Sequence, residues 1–358
     1  MKFVVVNQHP SVVTGGSEIQ CGFISDGLRS MGHQVTYVAP VKVMGERPPL
    51  SGVVWVPLNP SDIAAAIVAE QPNAVYWRFN LHGGFLDVAR LLHSRGIPIV
   101  FAVSHINDVT RGAIKPLSGF RAKAILGPFM RLKALREFGG FRYVSELTVN
   151  NKSHLGRAPV ASQHFIPNGM VADIQPFSWP RPYCAWVGNI KRSKRPEVAV
   201  RLASDLDPLG VDLLIVGNMQ SDHYGWLENP EKRPANCHYL GGKTLLEVNG
   251  ILAGSELHVH TCEPEGFSNV FIQAWLQGRP SVSYGFDPAG YIASNGIGID
   301  ADNDFSTFTD AVRKLLNDAD ERIAMGKRAK AFAEETFSVG NLVRRVESVL
   351  LKAALGRG

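Results

Sequence analysis

The stretch EPEGFSNVFIQAWLQGRPSVSY, residues 263–284, joins a carboxylate-bearing loop to a short apolar helix and a further apolar segment. Glu265 precedes a three-residue turn, and the helix is predicted to begin near Asn269. The turn consists of Gly266, Phe267 and Ser268. Gln273 follows about one helical turn later, so Glu265 and Gln273 can face one ligand. A carboxylate accepts from two hydroxyl groups at once, which suits a sugar or a ribose. Taken alone, the pattern also fits a polar loop followed by an amphipathic helix without function.

Strand and helix patterns alternate on both sides of this stretch. Continuous apolar runs such as KFVVVN (2–7), HQVTYVAP (33–40) and IPIVFAVSH (97–105) are typical of buried parallel strands. The alternation starts again at YCAWVGN (183–189) and VDLLIVGN (211–218). We therefore predict an α/β protein with two Rossmann-like, doubly wound parallel sheets.

The length of 358 residues is comfortable for two domains. We expect an N-terminal domain over 1–172, a C-terminal domain over 173–336, and a helix over 337–358 that returns to the N-terminal domain. The proline-rich passage QPFSWPRPY (175–183) is interpreted as the linker.

Composition excludes several classes of protein. No run of about 18 apolar residues is present, so no membrane span is expected. The first apolar run is too short for a signal peptide, which favours a cytoplasmic location. The four cysteines lie far apart without paired metal spacing and are expected to be reduced and mostly buried.

Positive charge is concentrated in one segment. From Arg111 to Arg142 the chain carries eight cations and one anion, Glu137. Large apolar residues, among them Phe129 and Leu132, alternate with these cations, which is typical of a helix lying on an anionic membrane surface. A plain solvated surface is the alternative, and nucleic acid is disfavoured because no DNA-binding motif or aromatic platform is seen. The cations predicted to contact membrane or acceptor are Arg121, Lys123, Arg131, Lys133 and Arg136.

Two loops after predicted strands suit an anion. Gly15-Gly16 precedes a helix, where loop amides and the helix dipole favour negative charge, although no G-x-G-x-x-G is present. The loop GNIKRSKRPE (188–197) places cations at a helix N-terminus, against the dipole, and a bound diphosphate would resolve that conflict. Lys194 is the predicted phosphate contact, whereas Arg192 and Arg195 are interpreted as surface charges.

Five blocks occur in the order seen in one family. They are GGSE (15–18), SH (104–105), IPNG (166–169), VGNIKRSK (187–194) and EPEGFSNVFIQAWLQGRPSV (263–282). Together they resemble retaining glycosyltransferase family 4 of the bacterial polysaccharide type, over nearly the whole chain. The resemblance implies the GT-B fold, in which two Rossmann-like domains face each other across a cleft.

The resemblance also implies a function. A metal-independent hexosyltransferase would move a sugar, with retention, from a nucleotide-diphosphate sugar to a glycan or lipid-linked acceptor, in cell-surface polysaccharide assembly at the inner face of the plasma membrane. The domain over 1–172 would bind the acceptor, the domain over 173–336 would bind the donor, and no cofactor or metal would be required. The implied catalytic residues are His105, Lys194 and Glu265. The implied donor-binding residues are Gly15, Gly16, Gly188, Asn189, Lys191, Gly266, Phe267, Ser268, Asn269, Val270 and Gln273.

Two positions depart from the family pattern. The family carries a second glutamate where this chain has Gln273, and an arginine where it has Asn189. An amide can still accept a hydroxyl hydrogen bond, but it brings no charge. Two alternatives therefore stay open: a GT-B nucleotide-sugar epimerase or hydrolase, and a degenerate sugar-nucleotide-binding protein at the membrane.

Overall fold

The computed structural model describes residues 1–13, 15–43, 45, 49–79, 84–113, 120–263 and 267–356, with only the backbone helix described over 120–125. The chain divides into two compact units. The first comprises Met1–Gly169 together with Val339–Gly358, and the second comprises Met170–Ser338. The division thus falls before the boundary at 172 expected from the sequence, and the last helix groups with the first unit.

Strands alternate with helices throughout the described residues. The strands of the first unit are β1 Lys2–Val6, β2 Gln34–Val41, β3 Val53–Pro57, β4 Ala74–Trp77, β5 Ile99–Val103, β6 Glu146–Val149 and β7 Gln163–Phe165. Those of the second unit are β8 Tyr183–Val187, β9 Asp212–Val216, β10 Cys237–Tyr239, β11 Leu257–His260, β12 Ser281–Ser283 and β13 Gly298–Asp300.

The helices follow the same chain order. They are α1 Gly16–Ser30, α2 Pro60–Ala69, α3 Phe85–Ser94, α4 Phe120–Phe138, α5 Pro196–Leu206, α6 Leu245–Gly254, α7 Asn269–Leu276, α8 Tyr291–Asn295, α9 Phe305–Asn317, α10 Ala319–Thr336 and α11 Val339–Leu355. Among the described residues, no helix is long and apolar enough to cross a membrane.

The first unit is built on a sheet with the order β3-β2-β1-β4-β5-β6-β7, in which neighbouring strands pair in parallel. The central strand β1 is buried on both faces. Phe3 and Val5 pack with α1 and α11, whereas Val4 and Val6 pack with α2 and α3. This two-sided burial explains why the strand is a continuous apolar run instead of an alternating one.

The second unit repeats the arrangement on a parallel sheet with the order β10-β9-β8-β11-β12-β13. In β8, Cys184 and Trp186 pack with α5 and α9. Tyr183 and Ala185 point to the other face and pack with α6 and α7. The prediction of two doubly wound parallel sheets is confirmed.

The passage QPFSWPRPY does not behave as a linker, so that interpretation is wrong. Phe177 and Trp179 stack on each other and pack on the α6–α7 face of the second unit. The Trp179 indole donates to the buried Asp212 carboxylate at 2.8 Å, and Arg181 pairs with the same carboxylate at 2.9 Å. The aromatic residues among the prolines give this segment enough apolar surface to dock.

Helix α11 completes the first unit. Its buried residues are Leu342, Val343, Val346, Val349, Leu350 and Ala353. They cover the sheet face that α1 leaves open, and Gly27 of α1 lies so close that an added Cβ would be 2.4 Å from a Val343 methyl. The C-terminal helix is therefore part of the core of the first unit.

This packing gives a stability prediction for α11. Leu350→Ala should lower the free energy of unfolding by about 2–5 kcal/mol, because it leaves a cavity in a fully buried site. Leu355→Ala is the matched control, since Leu355 is 69% exposed on the same helix, and its effect should stay within about 0.5 kcal/mol. Urea unfolding of both variants measures the difference, and equal effects would show that α11 does not seal this face.

Candidate functional site

The loop after β8 is fixed by the neighbouring strand end. Gly188 donates its backbone N–H to the Val216 carbonyl at 2.9 Å, and Ile190 donates to the Asn218 carbonyl at 2.8 Å. A Cβ at Gly217 would lie 1.8 Å from the Gly188 carbonyl oxygen, so only glycine allows the two strand ends to approach so closely. Gly188 and Asn189 are thus held rigidly at the carboxyl edge of the sheet, where ligands bind in open α/β sheets.

Lys191 and Lys194 lie in the next turn of this loop. Lys191 precedes a single 3-10 turn, Arg192–Lys194, and its carbonyl accepts from the Lys194 N–H at 2.9 Å. Lys194 is half-buried, and its side-chain Cδ lies 3.8 Å from the position of a Cβ on Gly188. Its carbonyl accepts from the Thr261 hydroxyl at 2.8 Å. The lysine stem therefore lies over the glycine of the strand end.

Arg195 is a structural clamp, and its interpretation as a surface charge is wrong. Its Nε donates to the Thr261 carbonyl at 2.7 Å, and one Nη donates to the Cys262 carbonyl at 3.1 Å. The other Nη donates to the Asn303 amide oxygen at 3.2 Å, and the guanidinium lies 4.9 Å from the centre of the Tyr284 ring. These contacts join the loop after β8 to the chain leaving β11.

The turn at 192–194 also contacts the start of the sequence stretch that carries the resemblance. The Glu263 N–H donates to the Ser193 carbonyl at 2.9 Å. Glu265 and Gly266, both predicted site residues, lie outside the described residues. The structure describes the chain up to Glu263, whose neighbours Thr261 and Cys262 bond to Arg195, and again from Phe267, which precedes the N-cap of α7.

Helix α7 begins with a buried N-terminus. Ser268 occupies the N-cap position, and the first helical residues are Asn269 and Val270, the latter buried. Phe267 packs with Phe337 and Tyr291 at ring separations of 5.5 and 6.2 Å, which anchors the residue before the cap. The Phe271 N–H donates to the Ser268 carbonyl at 3.2 Å, and the helix dipole gives this end of α7 the positive polarity that favours an anion.

Gln273 lies one turn inside α7 and is only 7% exposed. Its Nε2 donates to the Asn249 side-chain oxygen on α6 at 2.9 Å. Asn249 is fully buried and donates through its own Nδ2 to the carbonyls of Val171 and Asp173, at 3.0 and 2.8 Å. Asn249 is a residue that the sequence analysis did not single out.

His105 lies in the first unit, directly after β5. It is exposed and caps a 3-10 turn: its Nδ1 accepts from the Asn107 N–H at 3.1 Å. Asp108 closes the reciprocal contact by accepting from the N–H groups of Ser104 and His105, at 3.0 and 2.9 Å. Because Nδ1 accepts, the neutral ring carries its proton on Nε2 and can donate from that side.

Gly15 and Gly16 lie at the start of α1. Gly15 occupies the N-cap position in an extended conformation, and α1 begins at Gly16. A Cβ at Gly15 would lie 2.1 Å from the Glu18 carboxylate, so the first turn is tight around this glycine. The IPNG block near the end of the first unit is structural, because the Gln20 amide exchanges two hydrogen bonds with the Gly169 backbone, at 2.7 and 2.8 Å.

Arg78 is a further residue that sequence reasoning missed. It follows β4 and is buried, and its guanidinium donates to the Asn168 amide oxygen at 2.9 Å and to the Ser104 hydroxyl at 3.4 Å. Both of these acceptors are neutral. The signal was present in the sequence as a cation directly after an apolar strand.

The basic helix α4 exposes apolar and charged residues together. Leu126, Phe129 and Leu132 are 51%, 66% and 66% exposed, and Arg131 and Lys133 are exposed beside them. Arg136 differs from these cations, because it forms two hydrogen bonds with the Asp87 carboxylate at 2.8 and 2.9 Å. The side chains of Arg121 and Lys123 lie outside the described residues.

Comparison with known proteins identifies the fold. A family model described as "Glycosyl transferases group 1" matches residues 181–318, and no match was found among curated proteins. Sucrose-phosphate synthase from Thermosynechococcus elongatus superposes with a TM-score of 0.77 at 13% identity, covering 98% of both chains. HepE of Anabaena, solved in complex with UDP, gives a TM-score of 0.74 at 16% identity, covering 98% of this chain and 100% of HepE. The chain has the two-domain GT-B fold. WaaG, a glycosyltransferase involved in lipopolysaccharide biosynthesis, is similar with a TM-score of 0.68 at 14% identity, covering 98% of this chain and 99% of WaaG.

Two histidines lie buried under the second unit's site, on the strand that leads into it. Burial lowers the pKa of His258 to about 3. Burial, helped by His258 and the cations of Lys194 and Arg195, lowers the pKa of His260 well below its usual value of 6.5. Both rings are therefore neutral in the folded GT-B protein, packed around Phe271.

A pH dependence follows from these two rings. Below about pH 6.5 the unfolded chain binds protons that the folded chain does not, so stability is present at neutral pH and falls as the pH falls. His260→Phe should reduce the slope of unfolding free energy between pH 5 and 6 by about 1.4 kcal/mol per pH unit. Urea unfolding at several pH values measures the slope. Phe271→Leu is the control: it changes a buried ring of the same cluster without altering a titratable group, so the slope should stay at its wild-type value. An unchanged slope in His260→Phe would contradict the argument.

Proposed function

We propose that this chain is a retaining glycosyltransferase that takes its sugar from a nucleotide-diphosphate sugar. The observation that supports it best is the connected donor loop of the second unit. Gly188, Lys194 and the chain leaving β11 are held by hydrogen bonds at the carboxyl edge of one sheet, and α7 begins at Asn269, further along that same chain. UDP and UDP-glucose complexes of HepE, which has the same fold, are consistent with such a donor.

The proposed mechanism depends on stabilising a leaving diphosphate. Negative charge develops on it as the bond to the sugar breaks, and fixed donors aimed at that charge lower the barrier. Lys194 and Lys191 would each supply a positive charge. The N-terminus of α7 would add the positive end of its helix dipole. Glu265 would hold sugar hydroxyls, and the donor phosphate would take the acceptor proton. We propose that no metal ion takes part.

His105 and the Gly15-Gly16 turn are proposed to contact the donor sugar and its phosphates. The capping turn at Asn107 and Asp108 holds the imidazole with Nδ1 as an acceptor, which leaves Nε2–H to donate to a sugar hydroxyl. This role needs a neutral ring, and it is one of orientation instead of proton transfer.

The finer assignment is to glycosyltransferase family 4, acting in cell-surface polysaccharide assembly. The five sequence blocks support the family, and the similarity to WaaG supports the pathway. The acceptor would be a glycan or a lipid-linked saccharide. An epimerase or hydrolase would release nucleotide without any acceptor, and a degenerate binding protein would release none, so acceptor dependence separates the three.

The exposed face of α4 supports peripheral membrane binding. Phe129 and Leu132 would enter the headgroup region while Arg131 and Lys133 attract anionic lipid. Each such cation contributes about 1 kcal/mol near an anionic surface. A lipid-linked acceptor would be reached from this position at the inner face of the plasma membrane.

The phosphate role of Lys194 is tested by transfer assays. Lys194→Ala should reduce acceptor-dependent nucleotide release by about a hundredfold or more, because it removes a charge aimed at the leaving group. Lys232→Ala, an exposed lysine of the same unit, is the matched control and should retain wild-type turnover. The assay contains excess EDTA, and a nucleotide-sugar screen by thermal shift selects the donor beforehand. Normal turnover in Lys194→Ala would refute the phosphate role of Lys194. Loss of wild-type turnover caused by EDTA would refute the proposal that no metal ion takes part.

The membrane proposal is tested by vesicle sedimentation. Wild-type protein should bind vesicles rich in phosphatidylglycerol more tightly than phosphatidylcholine vesicles, and the binding should weaken as salt rises. The double change Arg131→Gln and Lys133→Gln should weaken it about tenfold or more. The double change Asp87→Asn and Arg136→Gln is the control: it removes the Arg136–Asp87 ion pair without changing the net charge, so its effect should be small. Binding indifferent to salt and to the double change would remove the hypothesis.

A further inference from the structure

Three side-chain amides connect helix α7 to the start of the second unit. Asn249 on α6 contacts the backbone at Val171 and Asp173, and Gln273 on α7 contacts Asn249. Gln277, the residue that caps the end of α7, donates to the Ala172 carbonyl at 2.9 Å. Asn249 and Gln277 thus bond directly to the short segment 171–173, which follows directly on the division between the two units, and Gln273 is joined to it through Asn249.

The direction of these hydrogen bonds decides which residue fits at 273. Both hydrogens of the Asn249 amide are used by backbone carbonyls, which cannot reverse their polarity. Its oxygen must then face α7, and it needs a donor there. Gln273 supplies one at 2.9 Å. A carboxylate at 273 would place oxygen against oxygen in a site where Asn249 is fully buried, which is costly.

The same geometry limits what Gln273 can offer a ligand. Its Nε2 is directed at Asn249, so the amide cannot rotate by half a turn without losing that bond. Its Oε1 is left as the acceptor for a ligand hydroxyl, whereas a glutamate has two carboxylate oxygens for two adjacent hydroxyls.

We propose that Asn249 is a positioning residue that fixes the Gln273 amide, so that Gln273 accepts from a single ribose hydroxyl of the nucleotide. This inference rests on the proposed function, because it takes Gln273 as a donor-site residue. The protein would then require a hydroxyl at one of the two ribose positions and would tolerate its absence at the other. The amide at 273 would thus determine which ribose hydroxyl is recognised, and Asn249 would determine that residue 273 is an amide.

Wild-type protein provides the first test, by calorimetric titration with UDP, 2′-deoxy-UDP and 3′-deoxy-UDP, or with the GDP series if GDP binds more tightly. One deoxy analogue should bind within about twofold of the parent nucleotide, and the other about three- to tenfold more weakly, as for the loss of one hydrogen bond. Equal weakening of both analogues, or of neither, overturns the inference while leaving the proposed function in place. Failure to bind any of these nucleotides overturns both.

Variants then separate positioning from folding. Gln273→Ala should make the two deoxy analogues equivalent. Asn249→Ala should narrow the difference between them although Gln273 is unchanged, because the released amide can rotate. A difference that persists at its wild-type size in either variant would overturn the assignment.

Two further variants, each replacing a glutamine with a glutamate, provide a test if Asn249→Ala does not fold. Gln273→Glu should lower the melting temperature by about 2–4 °C through the oxygen–oxygen contact with Asn249. Gln277→Glu makes the same chemical change one turn away, where solvent reaches the side chain, and should lower it less. A Gln273→Glu protein as stable as Gln277→Glu, with both deoxy analogues weakened, would show that Asn249 does not dictate the residue at 273.

Discussion

The site of the second unit depends on the Arg195 guanidinium. This side chain reaches two successive carbonyls of the chain leaving β11 and the Asn303 amide beyond β13, while lying against the Tyr284 ring. Its backbone has a φ of 47°, a strained value for a residue other than glycine, and the multiple contacts stabilise it. With Arg195 in place, the turn carrying Lys194 and the chain at 261–263 are held in one arrangement. Fixed charges of this kind need no reorganisation when charge develops on a leaving group, as the proposed mechanism requires.

The fold could be predicted because its strands are buried on two faces. A strand such as β1 or β8 must be apolar at every position, and this signal survives without any alignment. Short elements gave no such signal. The strand β13 has only three residues, Gly298–Asp300, and Asp304 caps α9 shortly after it. QPFSWPRPY was misread because its prolines indicate a loop, whereas its two aromatic rings decide where it packs.

The site was predicted less completely, since charge in a sequence does not show what the charge faces. Lys194, Arg195 and Arg136 all appear as cations near a helix end or in a basic segment. The structure separates them: Arg195 serves backbone carbonyls, Arg136 pairs with Asp87, and Lys194 lies half-buried over Gly188. Partners such as Asn303 and Asp87 are more than forty residues distant in sequence, so no local pattern contains them. His105 was located from the resemblance, but its capping partner Asp108 was visible three residues away.

Gln273 shows how a departure from a family pattern should be weighed. From the sequence, an amide in place of a glutamate suggests a lost charge and a weakened donor site. In the structure, the amide is the residue that Asn249 requires, because the carbonyls of Val171 and Asp173 orient Asn249 with its oxygen toward α7. Along the route from the Val171 and Asp173 carbonyls through Asn249 to Gln273, every donor meets an acceptor, which a random loss of the glutamate would not provide. The change at 273 is therefore best understood together with residue 249, as one unit of structure, and selectivity toward the nucleotide is the effect that we propose for it.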